Sequence, residues 1–180
     1  MKDPTLGIIF KPSYPHTIYQ RLSPISGLLE AAKKTGRCAF IDEGKFKSDK
    51  LPTEIAQASD VAVGLLLSGT AALESSLSGA KTVFLNLEKV SSIGLGPADI
   101  GNVVFNSLEE LFLATDLYRN GGTDREKFGN LSHWVGMRDT HRDGRATFRM
   151  GRFINALLMG LDRGEDPDTV LERLKQEVAC

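Results

Sequence analysis

Ser68-Gly69-Thr70, followed four residues on by Glu74, is the grouping in this sequence best suited to chemistry. Two hydroxyls flank a residue with no side chain, where an apolar run at residues 60–67 gives way to small, helix-favouring residues. Unbonded N–H groups at a helix start, with hydroxyls beside them, receive an anion such as a phosphate. Gly69 leaves the backbone approachable. Thr70 and Glu74 share one helix face, which sets a carboxylate one turn below the anion site. There it can accept hydrogen bonds from the vicinal hydroxyls of a ribose or hexose. Phosphate above and diol below describe a nucleotide sugar. A plainer reading stands beside this one: Ser and Thr cap helices that bind nothing, Gly69 tightens a turn, and Glu74 is solvated. A Walker loop is excluded, because Gly64 and Gly69 have its spacing but Thr70 stands where the phosphate-binding lysine belongs.

Other charged groups could serve the same ligand. Lys11 follows an apolar run and would reach the sheet edge that carries Ser68-Gly69-Thr70 if the strands are parallel; a solvated strand-end lysine is the alternative. Residues 134–145 are dense in ionisable groups, and Arg145, Arg149 and Arg152 continue at helical steps of four and three. Arginine forks bind phosphate at two points, and Arg142 and Arg145 flank Asp143-Gly144. Against this, the helical trio reads as a solvated face paired with Asp139, Asp143 and Asp162, as exposed pairs commonly are. His16, His133 and His141 have neither metal-ligand spacing nor an accompanying nucleophile motif.

These residues need elements to position them. Apolar runs at 6–10, 37–42, 60–67, 81–86 and 102–105 read as strands. Helices are expected between them: one through Ile25, Leu28, Leu29 and Ala32 up to Gly36, one opened by Pro52, one after Thr70, and one capped by Ser107 with Glu110. The charged stretch 43–50 and the glycine-bearing stretch 87–101 read as loops. Gly94, Gly96 and Gly101 lack the spacing of a dinucleotide fingerprint. From Asp143 onward only helix is expected, with an apolar stripe from Ala146 to Leu161, a stop at Gly164 and a restart at Asp166-Pro167. Strands alternating with helices imply a mostly parallel sheet covered on both faces.

The 180 residues fit one domain with a substantial core. A net charge of −1 argues against bulk attraction to nucleic acid or an anionic membrane. Cys38 and terminal Cys180 form neither a disulfide framework nor a thiolate metal site, which points to a reducing cytosol. No apolar run approaches membrane-spanning length, and no signal-peptide core opens the chain. The abrupt start on a strand reads as a fragment cut from a longer protein.

The stretch from Ser68 through Gly79 to Asn86 resembles the donor-binding half of two-domain glycosyltransferases of the GT-B architecture. Similar Ser-Gly-Thr stretches occur in lipid-A-disaccharide synthase, in capsule and surface-polysaccharide glycosyltransferases, and in nucleotide-sugar epimerases. Leu51-Pro52-Thr53-Glu54-Ile55-Ala56, Ser59 to Gly64, and Arg142-Asp143-Gly144-Arg145-Ala146 extend the likeness over most of residues 6–178. The resemblance implies a Rossmann-like three-layer α/β domain over residues 1–142, with a mostly parallel sheet of about five strands. Over 143–180 it implies a C-terminal helical tail that packs on this domain and on a missing N-terminal one. It also implies that Ser68, Gly69 and Thr70 contact the donor phosphates and that Glu74 holds ribose or sugar hydroxyls; Lys11, Arg142 and Arg145 join the phosphate set by their place near the expected cleft and not by a motif match.

The expected activity is glycosyl transfer for cell-surface polysaccharide or glycoconjugate assembly. The donor would be a nucleotide-diphosphate sugar, with no further cofactor and no metal. A glycan or lipid-linked acceptor would bind the missing half, so this chain alone would bind donor weakly and transfer nothing. The expected location is cytoplasmic, at most peripheral to the inner face of the membrane. Two alternatives stay open: a nucleotide-sugar 2-epimerase-like isomerase half, and a non-catalytic subunit of a split glycosyltransferase. An exposed apolar patch at Phe148, Met150 and Phe153 would mark the latter.

Overall fold

In a computed structural model, residues 3–43, 48–90, 95, 99–122, 125–138 and 141–178 are described. Cys180, Asp139, Gly94 and Gly96 lie outside them, as do residues 44–47 of the charged loop. The chain is α/β, with eight α-helices and two parallel sheets among the described residues. It divides into two compact units, Met1–Gly136 and Met137–Cys180. The change of composition at residue 143 falls inside the second.

The first unit opens with β1 (Ile8–Phe10), α1 (Pro15–Arg21), α2 (Ser26–Lys34) and β2 (Cys38–Phe40). β1 and β2 pair in parallel, Ile8 opposite Cys38 and Phe10 opposite Phe40, with the two helices as the crossover that parallel strands require. The Phe10 and Phe40 rings stack at 5.0 Å. Then come α3 (Pro52–Gln57), β3 (Ala62–Leu65), α4 (Thr70–Leu77), β4 (Thr82–Leu85), β5 (Val104–Phe105), α5 (Leu108–Arg119) and α6 (Ser132–Arg138). The second sheet has the order β3-β4-β5, parallel throughout.

One sheet of about five strands was expected, and the strands form sheets of two and three instead. Periodicity decides which residues are extended and which faces they bury. It does not decide which strand edges meet, and no ladder joins β1 to β3 among the described residues. β1 is accordingly poorly covered, with Phe10 43% exposed.

The three-stranded sheet holds the core. β4 is buried from Thr82 to Leu85, as a strand covered on both faces should be. Phe84 packs with Ala72, Val104, Leu131 and Trp134 on one side. Val83 and Leu85 pack with Phe105, Leu111 and Phe128 on the other. Full burial of a side chain such as Phe84 is worth about 1.5–3 kcal/mol. Ser107 caps α5 as expected, its hydroxyl accepting from the Glu110 N–H at 3.1 Å. The Glu110 carboxylate reaches back to the Asn106 N–H at 2.9 Å, one residue earlier than a standard capping box.

The second unit contains α7 (Ala146–Asp162) and α8 (Pro167–Val178). Gly160 lets them touch: a Cβ there would lie 2.6 Å from a Val170 methyl. α7 stops at Gly164, whose φ of 75° suits glycine, and the Glu165 N–H bonds back to the Gly160 carbonyl at 3.0 Å. The Asp166 carboxylate then caps α8 by accepting from the Thr169 N–H at 3.0 Å.

Candidate functional site

Ser68-Gly69-Thr70 lies at the carboxyl end of β3, where a turn of 3-10 helix (Leu66–Ser68) passes through Gly69 into α4. Open parallel sheets bind ligands at this edge. Thr70 is the first residue of α4 and is exposed, and Glu74 is exposed one turn further on. Among the described residues neither side chain has a hydrogen-bond or ionic partner. Gly69 is the N-cap and provides no side-chain bond, so no side chain caps the first turn of this eight-residue helix. The arrangement offers amide donors, a hydroxyl and, one turn away, a carboxylate acceptor.

Gly69 has a reason internal to the fold. Its φ is −73°, which any residue adopts. A Cβ there would meet the Phe84 ring at 2.9 Å and the Leu65 carbonyl oxygen at 3.2 Å. Gly64 is held more tightly, since its Cβ would fall 2.4 Å from that of Ala72. Both glycines let α4 lie close on the sheet, so the absent side chain at 69 is accounted for by packing. Access for a ligand therefore rests on exposed Thr70 and the uncapped turn.

Asn86, beyond β4, was not singled out in the sequence. It is buried, and its carboxamide bonds the Val90 N–H at 3.0 Å, the Val90 carbonyl at 3.1 Å and the Asn106 side chain at 3.3 Å. It shapes the loop at the same sheet edge as Thr70. A polar residue closing an otherwise apolar strand run was its only signal in the sequence. Lys11 is half-buried just beyond β1, in the other sheet.

Arg142 and Arg145 belong to the second unit. A depression of about 260 Å³ there is lined by Arg142, Asp143, Gly144, Ala146 and Arg149. Asp143 dominates it, accepting from the Arg149 guanidinium at 2.8 and 3.0 Å and from the Arg145 N–H at 2.9 Å. Arg149 first, and then the Arg145 N–H, hold its carboxyl down to about 2. The Arg145 guanidinium lies 5.2 Å from the Phe148 ring centre. Arg142 has a φ of 43°, in the left-handed region rare for a side chain of its size. An anion here would compete with a carboxylate already in place. Arg149 thus takes the paired role that the sequence left open for the trio.

The structure therefore gathers Ser68, Gly69, Thr70 and Glu74 on one turn, and Arg142 with Arg145 on another unit. His133 and His141 are exposed. Among the described residues no group of three or more His, Cys, Asp or Glu side chains could hold a metal ion, and no helix is long and apolar enough to cross a membrane. Compared with protein-family models, curated proteins and solved structures, the chain matches none of them.

Proposed function

We propose that this chain is the nucleotide-sugar-binding domain of a GT-B-type glycosyltransferase of cell-surface glycan assembly. The observation that carries the reading is the parallel β3–α4–β4 unit, with Ser68-Gly69-Thr70 at the carboxyl end of β3 and Glu74 one turn below, without a partner among the described residues. In this reading Lys11, just beyond the carboxyl end of β1, is a further phosphate partner.

The amides of the first α4 turn and the Thr70 hydroxyl donate to the donor diphosphate. Their contribution grows as negative charge builds on the leaving nucleotide. Glu74 accepts from a pair of sugar or ribose hydroxyls. Acceptor binding and the catalytic base come from another domain, and a chain of this kind works on the cytoplasmic face of the membrane.

Isothermal titration with uridine, guanosine, cytidine and thymidine diphosphates tests this. Saturable binding of one of them is expected. No heat with any of the four at millimolar concentration overturns the reading.

A second reading has an observation of its own. The expected patch is not a single face, because Phe148 lies on the opposite side of α7 from Met150 and Phe153; instead Met150, Ile154, Leu158 and Leu161 are exposed at steps of four, four and three along one face. Such a patch favours a subunit that docks on a separate acceptor-binding protein.

A further inference from the structure

A second concavity lies elsewhere in the first unit, in the segment from the end of β1 through α1. It has a volume of about 320 Å³, near the lower end of small-ligand pockets. Tyr14, Thr17, Ile18, Arg21 and Leu22 line it. These positions recur at three- and four-residue steps, so they form one face of α1 and its flanks. On a helix that only packs, such a face is apolar. Here it carries a hydroxyl and a guanidinium, and the only buried residue of α1 is Pro15.

The charges at this groove are one-sided. Arg21 is exposed and, among the described residues, makes no ion pair or side-chain hydrogen bond. Among the described residues no carboxylate lines the groove, while Ser13 adds a second hydroxyl to that of Thr17. The Thr17 hydroxyl donates its one proton to the Tyr14 carbonyl at 3.2 Å, so the groove's donors toward an anion are the Arg21 guanidinium and the Ser13 hydroxyl. The contrast with the 260 Å³ depression is informative, since there a carboxylate already occupies the arginine. Ile18, Leu22 and the Tyr14 ring add apolar wall to the same groove. A groove with one uncommitted guanidinium, the Ser13 hydroxyl and apolar sides suits an oxyanion carried on an apolar or aromatic body.

We propose that the groove between Ser13 and Leu22 is a binding site for a small aryl or alkyl oxyanion, with Arg21 as its anchor. The oxyanion is a carboxylate or a phosphate monoester; both present two oxygens to one guanidinium. The site is independent of the nucleotide-sugar reading, because it uses none of the residues at the β3–α4 turn.

The test is amide chemical-shift mapping of the full chain with benzoate and, separately, phenyl phosphate, with phenol and inorganic phosphate as controls. Saturable shifts confined to residues 13–22 are expected with at least one of the two aryl anions, and the stronger of them names the oxyanion. Phenol lacks the charge and inorganic phosphate the apolar body, so both should bind at least about fivefold more weakly. Arg21→Gln, an exposed change that leaves the fold intact, should weaken binding about five- to tenfold. Arg21→Lys should restore part of it. Absence of saturable shifts with both aryl anions at millimolar concentration overturns the proposal. Equal binding by Arg21→Gln, or shifts centred on residues 68–74, does so as well.

Discussion

Gly64→Ala offers a direct check on how α4 is seated, because its cost follows from one distance. The new methyl would lie 2.4 Å from the Ala72 Cβ, whereas carbon atoms in contact rest about 3.5–4.0 Å apart. The helix must retreat by about 1 Å or more, and overpacking of this kind costs about 1–3 kcal/mol. For a chain of this size that is a fall in melting temperature of about 2–12 °C. Ala72→Gly removes the obstructing methyl, after which the nearest atom to the new Cβ is the Cα of residue 72 at 3.7 Å. Alone, that second change costs about 1 kcal/mol in helix propensity. The two substitutions should therefore not add: the double variant should be more stable than their sum by at least about 1 kcal/mol. Urea unfolding followed by fluorescence measures this cleanly, since Trp134 is the sole tryptophan and lies in the cluster that contains Ala72 and Phe84. Additivity within about 0.5 kcal/mol would refute the close seating of α4 on β3.

Three further outcomes follow from single contacts. Asp143 titrates at about 2 in the folded chain against an ordinary 3.8, so its stabilising contribution is present above pH 3.8 and lost as pH falls toward 2. Carboxyl NMR should show that midpoint, and Arg149→Gln should move it upward; an unmoved midpoint would remove the pair. Ser107→Ala should cost about 1 kcal/mol by deleting the α5 cap, read by urea midpoint, whereas no change would mean that the Glu110 N–H finds water as readily. Gly160→Ala should destabilise the α7–α8 pair by about 1–3 kcal/mol, and Val170→Ala should recover part of that loss. Helix content during thermal unfolding reports both.

Local rules carried well from sequence to structure where the chemistry was local. Ser107, Pro52, Asp166-Pro167 and Gly164 mark the helix boundaries they were expected to mark, because caps and left-handed turns depend on a few adjacent residues. Strand identity was also legible from apolar runs, most plainly at residues 82–85. Strand partnership was not, since it depends on contacts between edges far apart in sequence. α6 was missed because Trp134 and Val135 sit among charged neighbours that mask a short apolar face. At the candidate site, the sequence located the Ser68-Gly69-Thr70 turn but read Gly69 as room for a ligand. The room is taken by Phe84, a contact visible only once β4 is placed beside β3. The pairing of Arg149 with Asp143 was among the open alternatives, but a solvated and a paired arginine look alike in sequence.

The measurement closest to the central claim is a shift map of the amide groups with the tightest-binding nucleoside diphosphate, repeated on Thr70→Val and Glu74→Ala. The account expects the largest changes at residues 69–72 and binding weakened about fivefold or more in both variants. Shifts centred elsewhere, or affinity unchanged in both variants, would contradict it.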